Sequence, residues 1–442
     1  MARNESGYPI LGFGIYFCYD LCGDFEISVK KMKKKYLILG YGISGKAVAQ
    51  LLNQLKIEYV IADKNPTLPE IVKDGEDFSL DQIEKIIISP GISNSHPLLR
   101  KANKMGVEVV SEIEFAFGFI QNRSVGITGT NGKTTTTYLI EYILNGAKIK
   151  AKAVGNVGFA LSSYVLNPDP EEILIIELSS YQLENLKAKK LEAALYLNLT
   201  PDHLDRYSSI EEYASAKMNI QNCLIENGKF FVSSQVFQKY KNQIFVKNIT
   251  LFDQEELESI PPFEYIKLGR PERQNVLAAK AICDHFGVNA KTFEAHLRSF
   301  HKPPHRIEWI LDRNEVSYFN DSKSTNIDSV MHAVALFDRP IILILGGVDK
   351  GASYRPWIGA FKNKVKKMIC YGMAALKMEE ELSSYFSLIR VETLTQAVRA
   401  AKMGAQNGDC VLLSPGCSSF DQFRNYAHRG EVFKQLVIEE SL

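Results

Sequence analysis

The sequence predicts an α/β protein built from three domains. Short apolar segments alternate with helical patterns along the chain, glycine-rich turns follow two of these segments, and a length of 442 residues leaves room for several domains. The composition is 45% hydrophobic and 23% charged, which supplies enough apolar side chains for several cores. We place the domains at residues 32–111, 112–302 and 303–442.

Composition excludes several classes of protein. The chain has 52 Lys and Arg against 51 Asp and Glu, so net charge alone does not drive binding to nucleic acid or to an anionic membrane. No apolar run reaches about 18 residues, and we expect no transmembrane helix. The seven cysteines contain no CxxC pair, which argues against a disulfide framework or a zinc site. Free thiols indicate a reducing compartment, and we expect a cytoplasmic monomer.

Residues 1–31 are expected to be an extension outside the fold. They contain a largely apolar stretch from Tyr8 to Tyr19, interrupted by glycines, and no small-residue cleavage site follows it. A secretory signal is therefore the weaker interpretation. A natural start at Met32, or an ordinary arm packed on the first domain, remains an alternative.

The first domain opens with a predicted strand, Tyr36–Leu39, followed by the glycine-rich turn GYGISG and a helix. The next strand ends at Asp63, 18 residues after Gly45. By itself this pattern suggests a dinucleotide site, with a glycine-rich packing turn as the alternative. Further short apolar runs continue a parallel sheet, and we expect the stretch SEIEFAFGFIQNR to be a connection.

The strongest signal is GITGTNGKTT at residues 126–135, which follows a predicted strand and precedes a predicted helix. In a phosphate loop, glycines let backbone N–H groups approach phosphate oxygens, and the helix presents its positive end to the anion. Lys133 would bridge the outer phosphates and the Thr134 hydroxyl would bind Mg²⁺. Ile127 stands where the usual spacing has glycine, so the loop is a variant.

Two strand ends predict the metal side of this site. Glu177 closes the apolar run 173–176, at the edge of a parallel sheet where ligands bind. His203 follows a strand predicted at residues 194–200. Mg²⁺ prefers a few carboxylates together with phosphate and water. An ordinary strand-end glutamate and a surface histidine remain the alternatives.

Lys217 lies in a predicted helix at residues 208–224, which begins with a serine–glutamate capping box. It is in phase with an apolar stripe that includes Ile210 and Tyr213. Burial lowers the pKa of a lysine, and a neutral amine can react with CO₂ to give a carbamate, an anion that can bind a metal. The alternative is a lysine whose ammonium reaches solvent.

The doublet Pro303-Pro304 disfavours helix and predicts a domain boundary. A third α/β series follows it. Its predicted strands lie near residues 316–319, 341–345, 367–371 and 410–413.

In combination, these motifs resemble the Mur ligase family, ATP-dependent amide ligases of peptidoglycan synthesis. The residues that carry the resemblance are GITGTNGKTT, Glu177 with Ser179-Ser180, NLTPDHLDRY (198–207) and YASAK (213–217). The resemblance extends over residues 33–442. It implies a Rossmann-like UDP-binding domain, a central P-loop ATPase domain and a Rossmann-like carboxyl-terminal domain that binds the amino acid.

Motifs of the third domain resemble the members that add D-glutamate to UDP-N-acetylmuramoyl-L-alanine. These motifs are FNDSKSTN (319–326), LGGVDKG (345–351) and SPGCSSFDQFRNYAHRG (414–430). The DNPR motif of the diamino-acid-adding relatives is absent from the sequence. A member that adds another amino acid remains an alternative.

The resemblance implies a role for each of the following residues. The implied catalytic residues are Lys133, Glu177, His203, Lys217 and Lys323. The implied metal ligands are Thr134, Glu177, His203 and Lys217 as a carbamate. The implied ATP contacts are Gly129, Thr130, Asn131, Gly132, Lys133, Thr134, Thr135, Thr136, Asn275, Arg306 and Asp321. The implied UDP-sugar contacts are Gly40, Gly42, Ile43, Ser44, Asp63, Gly91 and Asn156. The implied D-glutamate contacts are Thr325, Lys350, Ser419 and Tyr426.

One departure concerns the adenine end of the nucleotide site. The family commonly has a His-Asn pair ahead of the residue matching Asn275, where this chain has Pro271-Glu272. For that reason we do not predict how the protein contacts adenine in this region. Two other classes of protein remain alternatives: a nicotinamide dehydrogenase, which would leave the phosphate loop unexplained, and a non-catalytic nucleotide-sugar-binding or regulatory module.

Overall fold

The computed structural model describes residues 35–64, 70–75, 78–93, 95–203, 206–253, 267 and 272–439. The predictions for residues 1–31 and for Pro271 lie outside these residues. Three separate sheets, of five, six and six strands, carry helices along the chain, and all but one strand pair shown is parallel. The predicted α/β fold class is confirmed.

The first sheet has the strand order β3-β2-β1-β4-β5. Its strands are β1 Lys35–Leu39, β2 Tyr59–Asp63, β3 Ile71–Lys73, β4 Ile83–Ile88 and β5 Glu108–Ser111. Its helices are α1 Ile43–Gln54, α2 Pro97–Met105 and α3 Glu112–Phe117. The expectation of a plain connection after β5 is wrong, because α3 begins there. The Ser111 hydroxyl caps α3 by accepting the Glu114 N–H, and Ile113 and Phe117 are fully buried.

The second sheet has the order β11-β10-β9-β6-β8-β7. Its strands are β6 Ser124–Thr128, β7 Ala151–Gly155, β8 Ile173–Glu177, β9 Leu191–Tyr196, β10 Leu224–Val232 and β11 Ile249–Leu251. Its helices are α4 Lys133–Gly146, α5 Leu161–Val165, α6 Ser180–Glu184, α7 Ile210–Met218, α8 Ser234–Tyr240, α9 Arg273–His285 and α10 Ala290–Ser299. Short 3₁₀ turns cover Asn219–Cys223 and Lys241–Gln243.

Two predicted boundaries in this sheet are wrong. The strand predicted at residues 194–200 is β9, which ends at Tyr196, because the Asn198 carbonyl turns to accept the Thr130 N–H at 3.0 Å. The helix predicted at residues 208–224 ends with α7 at Met218. The 3₁₀ turn after it brings Leu224 into register with β9, so that β10 can begin.

The third sheet has the order β12-β13-β17-β14-β15-β16, with β12 antiparallel to β13. Its strands are β12 Glu308–Arg313, β13 Val316–Asn320, β14 Ile341–Gly346, β15 Val365–Tyr371, β16 Leu388–Arg390 and β17 Cys410–Gly416. Its helices are α11 Ile327–Ala335, α12 Pro356–Ala360, α13 Ala375–Leu382, α14 Leu394–Gly404 and α15 Tyr426–Ile438.

Buried side chains join the first two sheets more closely than either joins the third. One apolar cluster runs from Ile38 and Ile87 in the first sheet to Val154 and Leu161 in the second. The third sheet has apolar clusters of its own on each face. In the described part of the chain, no helix is long and apolar enough to cross a membrane.

Candidate active site

The phosphate loop lies between β6 and α4 and is held open by glycine geometry. Gly129 and Gly132 have φ angles of 150° and 82°, which side-chain-bearing residues rarely adopt. A side chain on Gly132 would collide with the Asn275 amide, so α9 packs directly against the loop. Because α4 begins at Lys133, the unpaired N–H groups of its first turn face the loop.

Asn198, after β9, fixes the loop from the neighbouring strand end. Its carbonyl accepts the Thr130 N–H at 3.0 Å, and its Oδ1 accepts the Asn131 N–H at 2.8 Å. The Thr130 hydroxyl donates to the Thr200 carbonyl at 3.2 Å. The loop is therefore preorganised by the protein itself.

Three lysine side chains converge on this loop. The Lys133 Nζ donates to the Gly129 carbonyl at 2.9 Å, and the Lys217 Nζ donates to the same oxygen at 2.8 Å. The Lys323 Nζ, from the third domain, donates to the Thr134 hydroxyl at 2.8 Å. Lys217 is 1% exposed, which confirms the burial that its helical phase predicts. A buried cluster of cations of this kind is suited to binding an anion.

Burial is the largest influence on the pKa of each of these lysines. It lowers the pKa of Lys133, and it lowers the pKa of Lys217 well below its usual value, with the Lys133 charge adding to the effect. The pKa of Lys323 falls to about 7 through burial and the nearby charge of Arg306. Arg306, an implied ATP contact, therefore lies near the same cluster of charges.

Glu177 ends β8 beside the loop and is 2% exposed. Its Oε1 accepts a hydrogen bond from the Asn156 side-chain amide at 2.8 Å, whereas its Oε2 has no hydrogen-bond partner among the described residues. Burial would raise the pKa of this carboxyl, but the charges of Lys323 and Lys133 outweigh it and lower the pKa. Glu177 therefore offers an anionic oxygen to a ligand.

His203 has a positive φ of 56° and lies next to the same cluster. Its Nδ1 is 2.7 Å from the Tyr181 hydroxyl. Burial lowers the pKa of His203 to about 4, and the charges of Lys217 and Lys133 contribute. The imidazole is therefore neutral near pH 7. Among the described residues, no three His, Cys, Asp or Glu side chains group as metal ligands.

The third domain contacts the second through polar groups at this site. The Asp202 side chain is only 8% exposed, and its carboxylate accepts the Asn326 side-chain amide at 2.9 Å. The Lys350 Nζ lies 3.5 Å from the same carboxylate. Burial would raise the pKa of Asp202, but the Lys350 charge and the Asn326 hydrogen bond lower it. The third domain thus lies next to the phosphate loop, through contacts made by Lys323, Asn326 and Lys350.

A cavity of about 550 Å³ lies between the second and third domains. It is lined by Tyr181, His203, Val348, Asp349, Lys350, Gly351, Ser418 and Phe420. Lys350 is the lining residue implied for D-glutamate. Ser419 is 2% exposed beside the lining residues. A second cavity, of about 590 Å³, lies at the amino ends of β10 and β11 and contains none of the predicted site residues.

The glycine-rich loop after β1 is open and carries the residues implied for the UDP-sugar. Gly40 has a φ of 90°, and its carbonyl accepts the Ser89 hydroxyl at 2.8 Å. The Asp63 carboxylate accepts the Tyr41 N–H at 2.6 Å. Gly42, Ile43, Ser44 and Gly91 lie at the same sheet edge. Asn156, implied for the same ligand, instead contacts Glu177.

Three further residues implied to contact ATP are buried. Thr136 is fully buried, and its hydroxyl lacks a partner among the described residues. The Asp321 oxygens accept the Ile307 N–H at 3.2 Å and the Ser414 hydroxyl at 2.7 Å, and burial raises the pKa of Asp321 to about 6. The Asn275 amide donates to Glu272 at 2.7 Å. All three remain predictions.

Sequence reasoning missed the residues that act through contacts distant in the chain. The sequence patterns do not single out Tyr181, Asn198, Asp202 or Asn326, although Asn198 and Asp202 lie within NLTPDHLDRY and Asn326 ends FNDSKSTN. Asn198 and Asp202 follow β9 at the carboxyl edge of the sheet, and that position was the available signal. Tyr181 and Asn326 are found only from the three-dimensional structure.

Comparison with protein families gives three matches along the chain. Residues 34–111 match the Mur ligase MurD-like N-terminal domain, and residues 127–265 match the Mur ligase middle domain. Residues 305–417 match the Mur ligase glutamate ligase domain.

Two curated relatives are similar over nearly their full length. The UDP-N-acetylmuramoylalanine–D-glutamate ligase of Protochlamydia amoebophila is 41% identical over 433 residues, covering 91% of this chain and 98% of the relative. The enzyme of the same name from Caldicellulosiruptor bescii is 35% identical over 446 residues, covering 92% and 98%.

Solved structures share the fold at low sequence identity. The UDP-N-acetylmuramate–alanine ligase of Thermotoga maritima superposes with a TM-score of 0.58 at 14% identity, covering 91% of this chain and 98% of its own. The MurF ligase of the same organism, in complex with ADP, gives a TM-score of 0.57 at 15% identity, covering 92% and 96%.

Proposed function

The chain belongs to the Mur ligase family, and from this premise we propose that it is an ATP-dependent ligase that joins D-glutamate to UDP-N-acetylmuramoyl-L-alanine in peptidoglycan synthesis. The relatives described above are named for this reaction. The observation that carries the proposal is the convergence of Lys133, Lys217 and Lys323 on a phosphate loop beside the cavity that Lys350 lines. Lys133 and Lys323 supply positive charge to a reaction in which every substrate is an anion, whereas Lys217 is given a separate role below.

The chemistry follows from the stability of a carboxylate, which is a poor electrophile. In the first step an oxygen of the alanyl carboxylate forms a bond to the γ-phosphorus of ATP, and ADP leaves with the bridging oxygen. The D-glutamate amine then attacks the carbonyl carbon of the acyl phosphate. The carbon–oxygen bond breaks, inorganic phosphate leaves, and the amine loses a proton to solvent.

In the first step Lys133 and the N–H groups at the start of α4 hold the phosphates and neutralise their charge. Lys323 donates to Thr134 from the third domain, so it reaches the transferred phosphoryl group only when the domains are closed. The closed arrangement also excludes water, which would otherwise hydrolyse the acyl phosphate.

The site residues fit Mg²⁺. The Glu177 Oε2 is a buried anionic oxygen without a hydrogen-bond partner among the described residues, and Mg²⁺ favours a carboxylate together with phosphate oxygens. The proposed ligands are Glu177, Thr134, His203 and the carbamate of Lys217. The bound cation would supply charge neutralisation at the phosphoryl oxygens.

Lys217 is proposed to act as a carbamate. Its Nζ and that of Lys133 both donate to the Gly129 carbonyl, so two ammonium groups are crowded at one oxygen. Its lowered pKa raises the fraction of neutral amine, which forms a nitrogen–carbon bond with CO₂ and releases one proton. The resulting carbamate replaces a cation with an anion and removes the repulsion.

D-glutamate is proposed to bind in the cavity between the second and third domains. The Lys350 Nζ would exchange its contact with Asp202 for a substrate carboxylate. Thr325, Ser419 and Tyr426 are the other proposed contacts. The loop after β1, with Asp63, is proposed to bind the UDP group. We also propose that the three domains span residues 32–111, 112–302 and 303–442.

The proposed active unit is a cytoplasmic monomer. The five cysteines in the described part of the chain are free and buried, as expected in a reducing compartment. The adenine contacts near Glu272 are proposed to differ in detail from the family pattern.

A phosphate-release assay tests the proposal. With ATP, Mg²⁺ and UDP-N-acetylmuramoyl-L-alanine present, we expect phosphate release with D-glutamate and none with L-alanine, L-glutamate or meso-diaminopimelate. Product formation with one of the other amino acids alone would overturn the assignment to D-glutamate while keeping the ligase class. Phosphate release that needs no amino acid would overturn the ligase reaction.

A further inference from the structure

We infer that Arg429 is a positioning residue that fixes the three loops expected to bind D-glutamate, an inference that rests on the proposed function. Arg429 lies in the first turn of α15, and its side chain is 0% exposed. Removing a guanidinium from water is costly unless its N–H groups are bonded. Its partners therefore define its role.

The guanidinium donates to three chain segments at once. Its Nε donates to the Ser322 hydroxyl at 3.0 Å, and its Nη2 donates to the Ser322 carbonyl at 2.8 Å. Its Nη1 donates to the Gly346 carbonyl at 3.3 Å and to the Cys417 carbonyl at 3.1 Å. These residues lie at the carboxyl ends of β13, β14 and β17, which are neighbours in the sheet.

Each of the three segments leads into an expected D-glutamate contact. The segment at Ser322 continues to Thr325, the segment at Gly346 continues to Lys350, and the segment at Cys417 continues to Ser419. The Ser322 hydroxyl also donates to the Tyr426 carbonyl at 2.7 Å, which ties the start of α15 to the same point. One side chain thus sets the relative positions of all the expected contacts.

Only arginine has the geometry for this arrangement. Its planar guanidinium presents five donors in fixed directions, whereas a lysine ammonium has three donors around one atom. Space around the group is also restricted, because a Cβ on Gly347 would lie only 3.2 Å from the Arg429 Nη1. The substitution Arg429→Lys would therefore keep the charge but lose contact with at least one segment.

Arg313 provides a matched control in the same domain. Its guanidinium also binds backbone carbonyls, at Val437 (3.1 Å) and Ile438 (2.9 Å), but these lie at the far end of α15. Its removal should weaken the attachment of that helix without moving the loops. Arg313→Ala therefore reports what the loss of a structural arginine does by itself.

The experiment measures the KM of each substrate in Arg429→Lys, Arg429→Ala and Arg313→Ala by phosphate release. For both Arg429 variants we expect the KM of D-glutamate to rise at least about tenfold, while the KM values of ATP and the UDP-sugar change less than about threefold. Guanidinium ion at a non-denaturing concentration should restore part of the D-glutamate affinity to Arg429→Ala and none to Arg429→Lys. Arg313→Ala should keep all three KM values.

Two results would overturn the inference. One is a D-glutamate KM within about threefold of the native value in a folded Arg429 variant. The other is an equal rise in all three KM values, which would indicate a disturbance that is not confined to the D-glutamate loops.

Amide hydrogen exchange measured on Arg429→Lys tests whether Arg429 fixes the loops, independently of activity. We expect residues 321–326, 346–351 and 416–420 to lose protection together while the β14 and β17 strands keep theirs. Unchanged protection in these loops would overturn the inference. If the native protein released no phosphate with D-glutamate, the proposed function would fail, and the exchange result would still decide whether Arg429 fixes the loops.

Discussion

Two glycine-rich loops in this chain have similar sequences and different surroundings. Each follows a central strand of a parallel sheet, and a glycine–lysine pair comes next: Gly45-Lys46 in the first turn of α1, and Gly132-Lys133 where α4 begins. The loop after β1 is open to solvent, with Ile43 84% exposed. The loop after β6 is enclosed, and the Nζ atoms of Lys133 and Lys217 lie 2.9 and 2.8 Å from one of its carbonyls.

The difference shows that glycine spacing defines where an anion can approach, whereas the surrounding charge defines what happens to it. The open loop suits a group that is bound and leaves unchanged, such as the proposed UDP. The enclosed loop suits a group whose charge is redistributed during the reaction, because preorganised cations act most strongly away from water.

The largest expected effect comes from the lysine that follows the enclosed loop. Lys133→Ala should lower kcat at least ~100-fold, because it removes a cation at the transferred phosphate. Lys46→Ala is the matched control, since Lys46 lies in the first turn of α1, after the open loop, and is exposed. It should change kcat little. Near-normal turnover by a folded Lys133→Ala protein would contradict the role of the enclosed loop.

A second test replaces Lys217, the buried lysine on the other side of the Gly129 carbonyl. Lys217→Ala should lower kcat at least about tenfold, the usual cost of losing a metal ligand or its support. Added short-chain carboxylates should restore part of the activity to Lys217→Ala and none to Lys133→Ala. Full activity of Lys217→Ala without any additive would exclude the carbamate.

The open loop predicts a smaller effect on binding alone. Asp63→Ala removes the acceptor of the Tyr41 N–H and should raise the KM of the UDP-sugar about tenfold, with kcat and the KM of ATP kept. Asp63→Asn retains an acceptor oxygen and should lose less affinity. A large fall in kcat for Asp63→Ala would mean that the two loops are not separate in function.

The smallest expected effect concerns stability around the enclosed loop. Glu272 bonds Asn275 and pairs with Lys302 at 3.1 Å. Burial would raise the pKa of Glu272, but the charges of Lys302 and His332 lower it to about 2 from its usual 4.5. The unfolded chain therefore binds more protons between these values, so this pair stabilises the fold above about pH 4.5 and loses its effect as the pH falls towards 2.

Denaturant unfolding at several pH values measures this contribution. Glu272→Gln should unfold at lower denaturant than the native protein at pH 7, and the difference should shrink towards pH 3. A constant difference between the two proteins over that range would contradict the ion pair's contribution.

The sequence predicted the parts of the site that are local in the chain. The phosphate loop is one strand–turn–helix unit, and the burial of Lys217 follows from helical phase alone. Strand ends place Glu177 at the carboxyl edge of the sheet, because parallel strands point the same way. Each of these predictions needs only neighbouring residues.

The remaining parts depend on contacts between distant segments. The sequence gives no sign that Arg429 differs from other helix residues, because its carbonyl partners lie up to 107 residues away in the chain. Asp202 meets Asn326 and Lys350 only because the second and third domains pack against each other, and no periodic pattern in the sequence predicts that packing. The edge strand β12 was not predicted, because its half-buried, partly polar sequence resembles a loop.

Isotope transfer tests most directly whether the enclosed loop activates a carboxylate through phosphate. The substrate is UDP-N-acetylmuramoyl-L-alanine labelled with ¹⁸O in both carboxylate oxygens. It is incubated with the protein, ATP and D-glutamate, and the mass of the released phosphate is measured by mass spectrometry. An acyl phosphate requires one ¹⁸O atom in each phosphate, with the other retained in the new amide. Amide formation with unlabelled phosphate would contradict the acyl-phosphate route and the role assigned to the enclosed loop.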